Sequence, residues 1–335
     1  MSAPAACILD ADGPRLTSRE ARFFSRAQPW GFILFARNVE APAQLRALCD
    51  EMRGAVGRHA PILVDQEGGR VQRLGPPHWR EWPSPRAHAA TAGDRASAAI
   101  WMRYRLIAAE LSELGIDVNC APTADIAGLQ THTFLADRCF GADAGTVARV
   151  ARAAAEGMMD GGVLPVVKHI PGHGRARADS HHALPVVGAD MPALRETDFA
   201  PFRALRDLPM AMTAHVVYTA LDPRPATTSP VVMEAIRRDI GFSGLVMSDD
   251  LSMQALKGCP EQRVRAALDA GCDVALYCNA TLAEREAVAE AAGPLAGAAL
   301  SRAEAALAMR RAPKPVDIAA LEAKLEALTG DAWHG

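Results

Sequence analysis

The densest run of reactive side chains in the 335-residue chain is Lys168-His-Ile-Pro-Gly-His-Gly-Arg-Ala-Arg-Ala-Asp-Ser-His-His182. An unperturbed imidazole titrates near ~6.5, so four histidines in fifteen residues bring proton transfer at neutral pH within reach. Two other readings stand beside that one. The stretch is also compatible with a solvated loop whose histidines only hydrogen-bond, or with the ligand set of a metal-dependent hydrolase. A metal site wants more ligands than the run supplies, and the apolar run Cys7-Ile-Leu-Asp10 carries no His-x-His pair. No metal is expected.

Two further clusters carry carboxylates. In Val64-Asp-Gln-Glu-Gly-Gly-Arg-Val-Gln-Arg73 the glycines let backbone approach a ligand, while Asp65 and the arginines offer directional hydrogen bonds to hydroxyls. By themselves those ten residues slightly favour a tight turn with a structural Asp–Arg pair. In Leu245-Val-Met-Ser-Asp-Asp-Leu-Ser-Met253 an apolar run meets two adjacent carboxylates. Side chains alternate along a strand, so Asp249 and Asp250 do not easily face one pocket together; one of them, Asp250, is expected to cap the loop.

These clusters need a scaffold that gathers them. Short apolar runs alternate with helical patterns along the whole chain, which is the signature of repeated βα units. Eight strands are predicted: Cys7–Asp10, Gly31–Phe35, Pro61–Asp65, Asp117–Ala121, Val163–Lys168, Met210–His215, Gly244–Ser248 and Asp273–Tyr277. Between them, Thr17 and Glu20 make a capping box and Pro42 opens a helix with Leu45, Leu48, Cys49 and Met52 on one face. Ile100 to Leu114 forms a stripe closed by Gly115, Val147 to Met158 a second before Gly161, and Ser229-Pro230 opens a third that Gly241 ends.

Eight such units close into a single (β/α)₈ TIM barrel, an α/β fold. An open doubly wound sheet is the competitor, but Asp10-Ala-Asp-Gly13 replaces the G-x-G-x-x-G that would follow its first strand. Barrel chemistry sits at the C-terminal strand ends. Arg37, Asn38, Asp65 to Arg73, Asn119 to Asp125, Lys168, His169, His215 and Asp249 are therefore the candidates. One domain is expected over residues 1–335, with 312–335 as a polar last helix and tail.

Composition narrows the partners. Half of the residues are hydrophobic, 22% are charged, and the net charge of -3 comes from interspersed acids and bases, so no basic stripe awaits nucleic acid or anionic lipid. Seven scattered cysteines without a C-x-x-C pair suggest neither a disulfide framework nor a zinc cage, and suit a reducing cytoplasm. Met1 to Asp12 lacks the pattern of a secretory signal, and no apolar run reaches a membrane span. No interface is signalled, so a monomer is expected.

Taken jointly, Lys168-His-x-Pro-Gly-His-Gly174, Asp179-Ser-His181, Asp65-Gln-Glu-Gly-Gly-Arg-Val-Gln-Arg73 and Ser248-Asp-Asp-Leu-Ser-Met253 resemble bacterial β-N-acetylglucosaminidases of glycoside hydrolase family 3, the NagZ type. The resemblance runs from Leu9-Asp10 past Asp269-Ala-Gly-Cys-Asp273. It implies a cytoplasmic exo-hydrolase with no cofactor. The implied substrate is a small carbohydrate, N-acetylglucosamine at the non-reducing end of muropeptides with 1,6-anhydro-N-acetylmuramic acid.

The resemblance also assigns roles. Asp249 is implied as nucleophile, His181 as general acid/base and Asp179 as its orienting partner, with Asp65, Arg73, Arg138, Lys168 and His169 binding sugar. Cys139 follows Arg138 where relatives commonly carry serine, and Arg175 and Arg177 occupy variable positions. Retaining glycosidases usually pair two carboxylates; an imidazole in place of one can protonate the leaving oxygen and later deprotonate water. A metal-dependent barrel hydrolase, a non-catalytic sugar-binding barrel and a phosphate-using relative are the alternatives.

Overall fold

The computed structural model describes residues 3–176 and 184–330. Eight parallel strands form its centre: β1 (Ala5–Leu9), β2 (Pro29–Leu34), β3 (Ile62–Val64), β4 (Val118–Asn119), β5 (Leu164–Ile170), β6 (Met210–Thr213), β7 (Leu245–Met247) and β8 (Ala275–Leu276). Each pairs in parallel with its successor from β1 to β7, and β1 pairs with β8. The remaining seam closes where Met247 bridges Val274 and the Ser248 amide donates to the Val274 carbonyl at 3.0 Å. The predicted barrel is the observed one, and all eight expected strands are present.

Strand alternation sorts the apolar residues into two bodies. Ile8, Ile33, Leu63, Val118, Leu164, Val166, Met210, Met212, Leu245, Met247, Val274 and Leu276 fill the barrel interior as one cluster. Their neighbours Cys7, Leu9, Phe32, Leu34, Ile62, Val64, Val167, Ala211, Val246 and Ala275 belong to a second cluster, against the helices. A period of two in sequence thus becomes an inside and an outside, as packed barrels require.

The helices begin and end where their caps say. Thr17 and Glu20 form the capping box of Ser18–Ala27, and Pro42 opens Pro42–Val56. Ala96–Glu113 and Ala144–Asp160 pack closely; a Cβ on Gly157 would strike the Trp101 carbonyl and one on Gly161 the Ala108 methyl, so glycine permits the approach. Past the barrel, Ile318–Thr329 is less detached than its composition suggests. Leu321 and Leu325 are buried in the outer core, and Glu322 pairs with Arg80 at 2.7 Å. Among the described residues no helix is long and apolar enough to cross a membrane.

Candidate active site

At the C-terminal end of the barrel a pocket of ≈ 340 Å³ is lined by Phe35, Asp65, Arg73, Phe134, Arg138, Lys168, His169, His173, Asp249, Asp250, Met253 and Asn279. Five of the polar members sit at barrel strand ends: Asp65 leaves β3, Lys168 and His169 lie in β5, Asp249 leaves β7, and Asn279 lies just beyond β8, while Arg138 follows the short helix Thr133–Ala136. The register slips between Lys168 and Ile170, and both Lys168 and His169 line the pocket although they are consecutive.

Charge in the pocket is almost fully paired. The Lys168 ammonium donates to Asp65 Oδ1 at 2.8 Å and lies 2.6 Å from Glu67 Oε1, which leaves one of its three donors for a ligand. Arg73 Nη2 donates to Asp65 Oδ2 at 3.1 Å. Arg138 grips Glu67 with Nε at 2.9 Å and Nη2 at 2.8 Å. Burial would raise the Glu67 carboxyl, but the Arg138 and Lys168 charges outweigh it and bring it down to about 2. Asp65 is lowered too, by Lys168 and Arg73 against burial. Both therefore stay ionised and hold their cations in place.

His169 is oriented from behind. Its Nδ1 lies 2.7 Å from Asp125 Oδ2, which turns Nε2 toward Arg138 Nη2 at 3.4 Å. Asp125 also takes the His173 amide at 2.6 Å. Burial, with His169 alongside, lowers the His173 imidazole to about 4 and keeps it neutral.

Opposite this set sits Asp249. Burial would raise its carboxyl, yet His215, His169, the Asp250 amide and Lys168 together carry it below the usual carboxylate value. The Asp250 amide donates to Asp249 Oδ1 at 2.8 Å. Asp250 differs from its neighbour. Burial raises it to about 6, and its carboxylate accepts from Ser252 N at 2.9 Å, Ser252 Oγ at 2.8 Å and Cys278 N at 3.1 Å. It caps the loop, as expected, although it also borders the pocket. Beside the cation-paired Asp65, the site thus offers the Asp249 carboxylate among fixed cations and apolar walls, an arrangement suited to attacking or stabilising a developing positive centre.

The structure brings together Asp65, Arg73, Arg138, Lys168, His169 and Asp249. Asp179 and His181, with Arg177, lie outside the described residues. Other strand-end candidates have structural partners. Arg37 pairs with Asp10 and donates to Asn279 Oδ1 at 2.7 Å, Asn38 binds the Ala11 and Gly13 carbonyls, and Asn119 clasps the Gln66 backbone. Arg175 is tied to Asp198 at 2.7 Å. Glu67 and Asp125 fall inside the strand-end candidate ranges and His173 inside the histidine-rich run, but no part in the sugar site follows for them from sequence. For Glu67 a signal existed, because residues two apart in extended chain share a face, and Glu67 stands two beyond Asp65.

Comparison with known proteins accords with this geometry. Residues 12–311 match the Glycosyl hydrolase family 3 N terminal domain. The chain is 40% identical over 282 residues to a β-hexosaminidase of Alkalilimnicola ehrlichii, covering 81% of this chain and 80% of the relative. A β-hexosaminidase of Pseudomonas aeruginosa is 39% identical over 278 residues, 81% and 82% of the two chains. NagZ from Neisseria gonorrhoeae, solved with N-trifluoroacetyl-D-glucosamine, superposes with a TM-score of 0.80 at 29% identity, covering 98% of this chain and 99% of that one. Family match, sequence relatives and barrel agree: the chain belongs to glycosyl hydrolase family 3, among its bacterial β-N-acetylglucosaminidases of the β-hexosaminidase type.

Proposed function

We propose that the chain is an exo-acting, retaining β-N-acetylglucosaminidase that removes non-reducing terminal N-acetylglucosamine from peptidoglycan fragments carrying 1,6-anhydro-N-acetylmuramic acid. It acts in cell-wall recycling, in the cytoplasm, as a monomer with one catalytic domain and no cofactor. The observation that carries the reading is the convergence of Asp65, Arg73, Arg138, Lys168, His169 and Asp249 on one small pocket. Seven free thiols, six of them buried, suit a reducing compartment.

In this reading Asp65, Arg73, Arg138, Lys168 and His169 hold the hydroxyls and acetamide of the terminal sugar. Asp249 attacks C1, forming the C1–O bond of a glycosyl-enzyme as the bond to the leaving oxygen breaks. His181 gives that oxygen its proton. Water then attacks C1 and surrenders a proton to His181, which restores free Asp249 and retains the β configuration. Asp179 steadies the imidazolium. The lowered Asp249 carboxyl supports its part, since a nucleophile must be ionised.

The experiment is incubation with 4-nitrophenyl N-acetyl-β-glucosaminide, with and without phosphate, and identification of the sugar product. Free N-acetylglucosamine in both cases supports hydrolysis; a sugar 1-phosphate made with phosphate would mean a phosphorolytic enzyme. No turnover would leave a sugar-binding barrel.

A further inference from the structure

Behind Asp249, away from the pocket, lies a buried chain of side chains that the reaction above does not use. The Asp249 amide donates to Thr213 Oγ1 at 3.3 Å. Thr213 Oγ1 is 2.8 Å from Thr227 Oγ1, which is 2.7 Å from His215 Nδ1. The circuit returns through His215 Nε2, 3.0 Å from the Asp250 carbonyl. Thr213, His215 and Thr227 are all fully buried.

A carbonyl can only accept, so His215 Nε2 carries a proton, while Thr227 Oγ1 also donates to the Ala214 carbonyl at 3.1 Å. The peptide units on either side of the Asp249–Asp250 unit are therefore held, Ser248–Asp249 through its amide by Thr213 and Asp250–Leu251 through its carbonyl by His215. The unit between them supplies the Asp250 amide that donates to Asp249 Oδ1 at 2.8 Å. Releasing the Asp250 carbonyl would free the Asp250 dihedrals that restrain this middle unit, and the carboxylate would lose its fixed donor.

We propose that His215 is a positioning residue for Asp249, acting through the Asp250 carbonyl on one side and the Thr227–Thr213 hydroxyl pair on the other. The proposal rests on Asp249 being the nucleophile. That premise is tested in the wild-type enzyme by mass mapping of the adduct left by a fluorinated, slow-turnover sugar; a label elsewhere would remove the premise whatever the His215 variants do.

The test compares steady-state kinetics of His215→Ala, His215→Gln and Thr227→Val on 4-nitrophenyl N-acetyl-β-glucosaminide. Misplacing a reacting group by an ångström costs on the order of 100-fold, so His215→Ala is expected to lose kcat to that extent. Its KM should stay within about threefold, because none of the three side chains touches the sugar site. Glutamine can donate to the Asp250 carbonyl as His215 Nε2 does, so His215→Gln should recover at least about tenfold of the loss. A merely structural histidine would show no such split and no such rescue. Near wild-type kcat in His215→Ala, or equal loss in the alanine and glutamine variants, overturns the proposal. Should His215→Ala not fold, Thr227→Val decides: a lower kcat at unchanged KM supports the proposal, and unchanged turnover overturns it.

Discussion

Glu67 holds Arg138 through both carboxylate oxygens, Oε1 to Nη2 at 2.8 Å and Oε2 to Nε at 2.9 Å, with Glu67 fully buried and Arg138 nearly so. The same carboxylate lies 2.6 Å from the Lys168 ammonium. Two cations that face the pocket thus share one anion beneath it, and the geometry is set before any ligand arrives.

Glu67→Gln should therefore act on the sugar site without touching sugar. Leaving a buried cation short of its partner is costly, and we expect kcat/KM to fall by about 100-fold in a folded protein. Arg138→Gln should lose a similar amount. Because both variants break one pair, the double variant should fall well short of the sum of the two losses. Full additivity in that double-mutant cycle would deny the coupling.

The same pair makes stability depend on pH. Glu67 is lowered from 4.5 to about 2, so its contribution is present above its unfolded value and is lost as pH falls through the folded one. Denaturant titrations should show the advantage of wild type over Glu67→Gln shrinking as pH drops from about 5 toward about 2. An advantage that stayed constant over that window would mean the carboxylate is not stabilised by its partners.

Asp249→Ala should abolish turnover of every glycoside, since a nucleophile is needed whatever leaves. A fluorinated sugar should label Asp249 and not Asp250, whose carboxylate is occupied by Ser252 and Cys278. The lowered Asp249 carboxyl sets the acidic limb: kcat/KM should persist below the usual carboxylate range and fail only as pH drops through that lowered value. A limb at or above the ordinary carboxylate value would contradict the assignment.

His181→Ala should give a graded result. General acid help matters most for a basic sugar alcohol and least for an activated phenol, so disaccharide cleavage should suffer far more than 2,4-dinitrophenyl glycoside cleavage. Asp179→Ala should show the same pattern, equal or milder. Equal slowing of both substrates would make His181 a binding or structural residue and leave the general acid to be sought in another group.

Gly68→Ala probes the loop that presents Glu67. Gly68 has φ +104, and a Cβ there would strike the Arg103 guanidinium and lie 2.7 Å from the Pro83 carbonyl. Arg103 also binds the Glu67 carbonyl, so relief of the clash must shift the residue that anchors Arg138 and Lys168. We expect destabilisation of about 1–3 kcal/mol together with reduced activity. A thermal unfolding scan and kinetics near wild type would show that the loop yields without consequence.

Much of this protein was legible in its residues because local rules decide it. The period-two alternation of Ile8, Ile33, Leu63 and Val166 against Cys7, Phe32, Ile62 and Val167 separates an inner from an outer apolar face. Caps such as Thr17 with Glu20, and Pro42, mark helix starts without reference to the rest of the chain. Strand ends at Asp65, Lys168 and Asp249 name charged groups at the centre of the pocket, since a barrel turns all its C-terminal ends to one side. What folding alone decided is which of those polar groups meet ligand and which serve each other. Arg37 and Asn119 stand at strand ends yet are consumed by Asn279 and Gln66, partners far along the chain. Glu67 and Asp125 reach Arg138 and His169 only when separate βα loops come together. Spacing can put Glu67 on the face of Asp65, but nothing local names the guanidinium 71 residues away that it will meet, because the energy of the pair exists only once burial has removed the water between them.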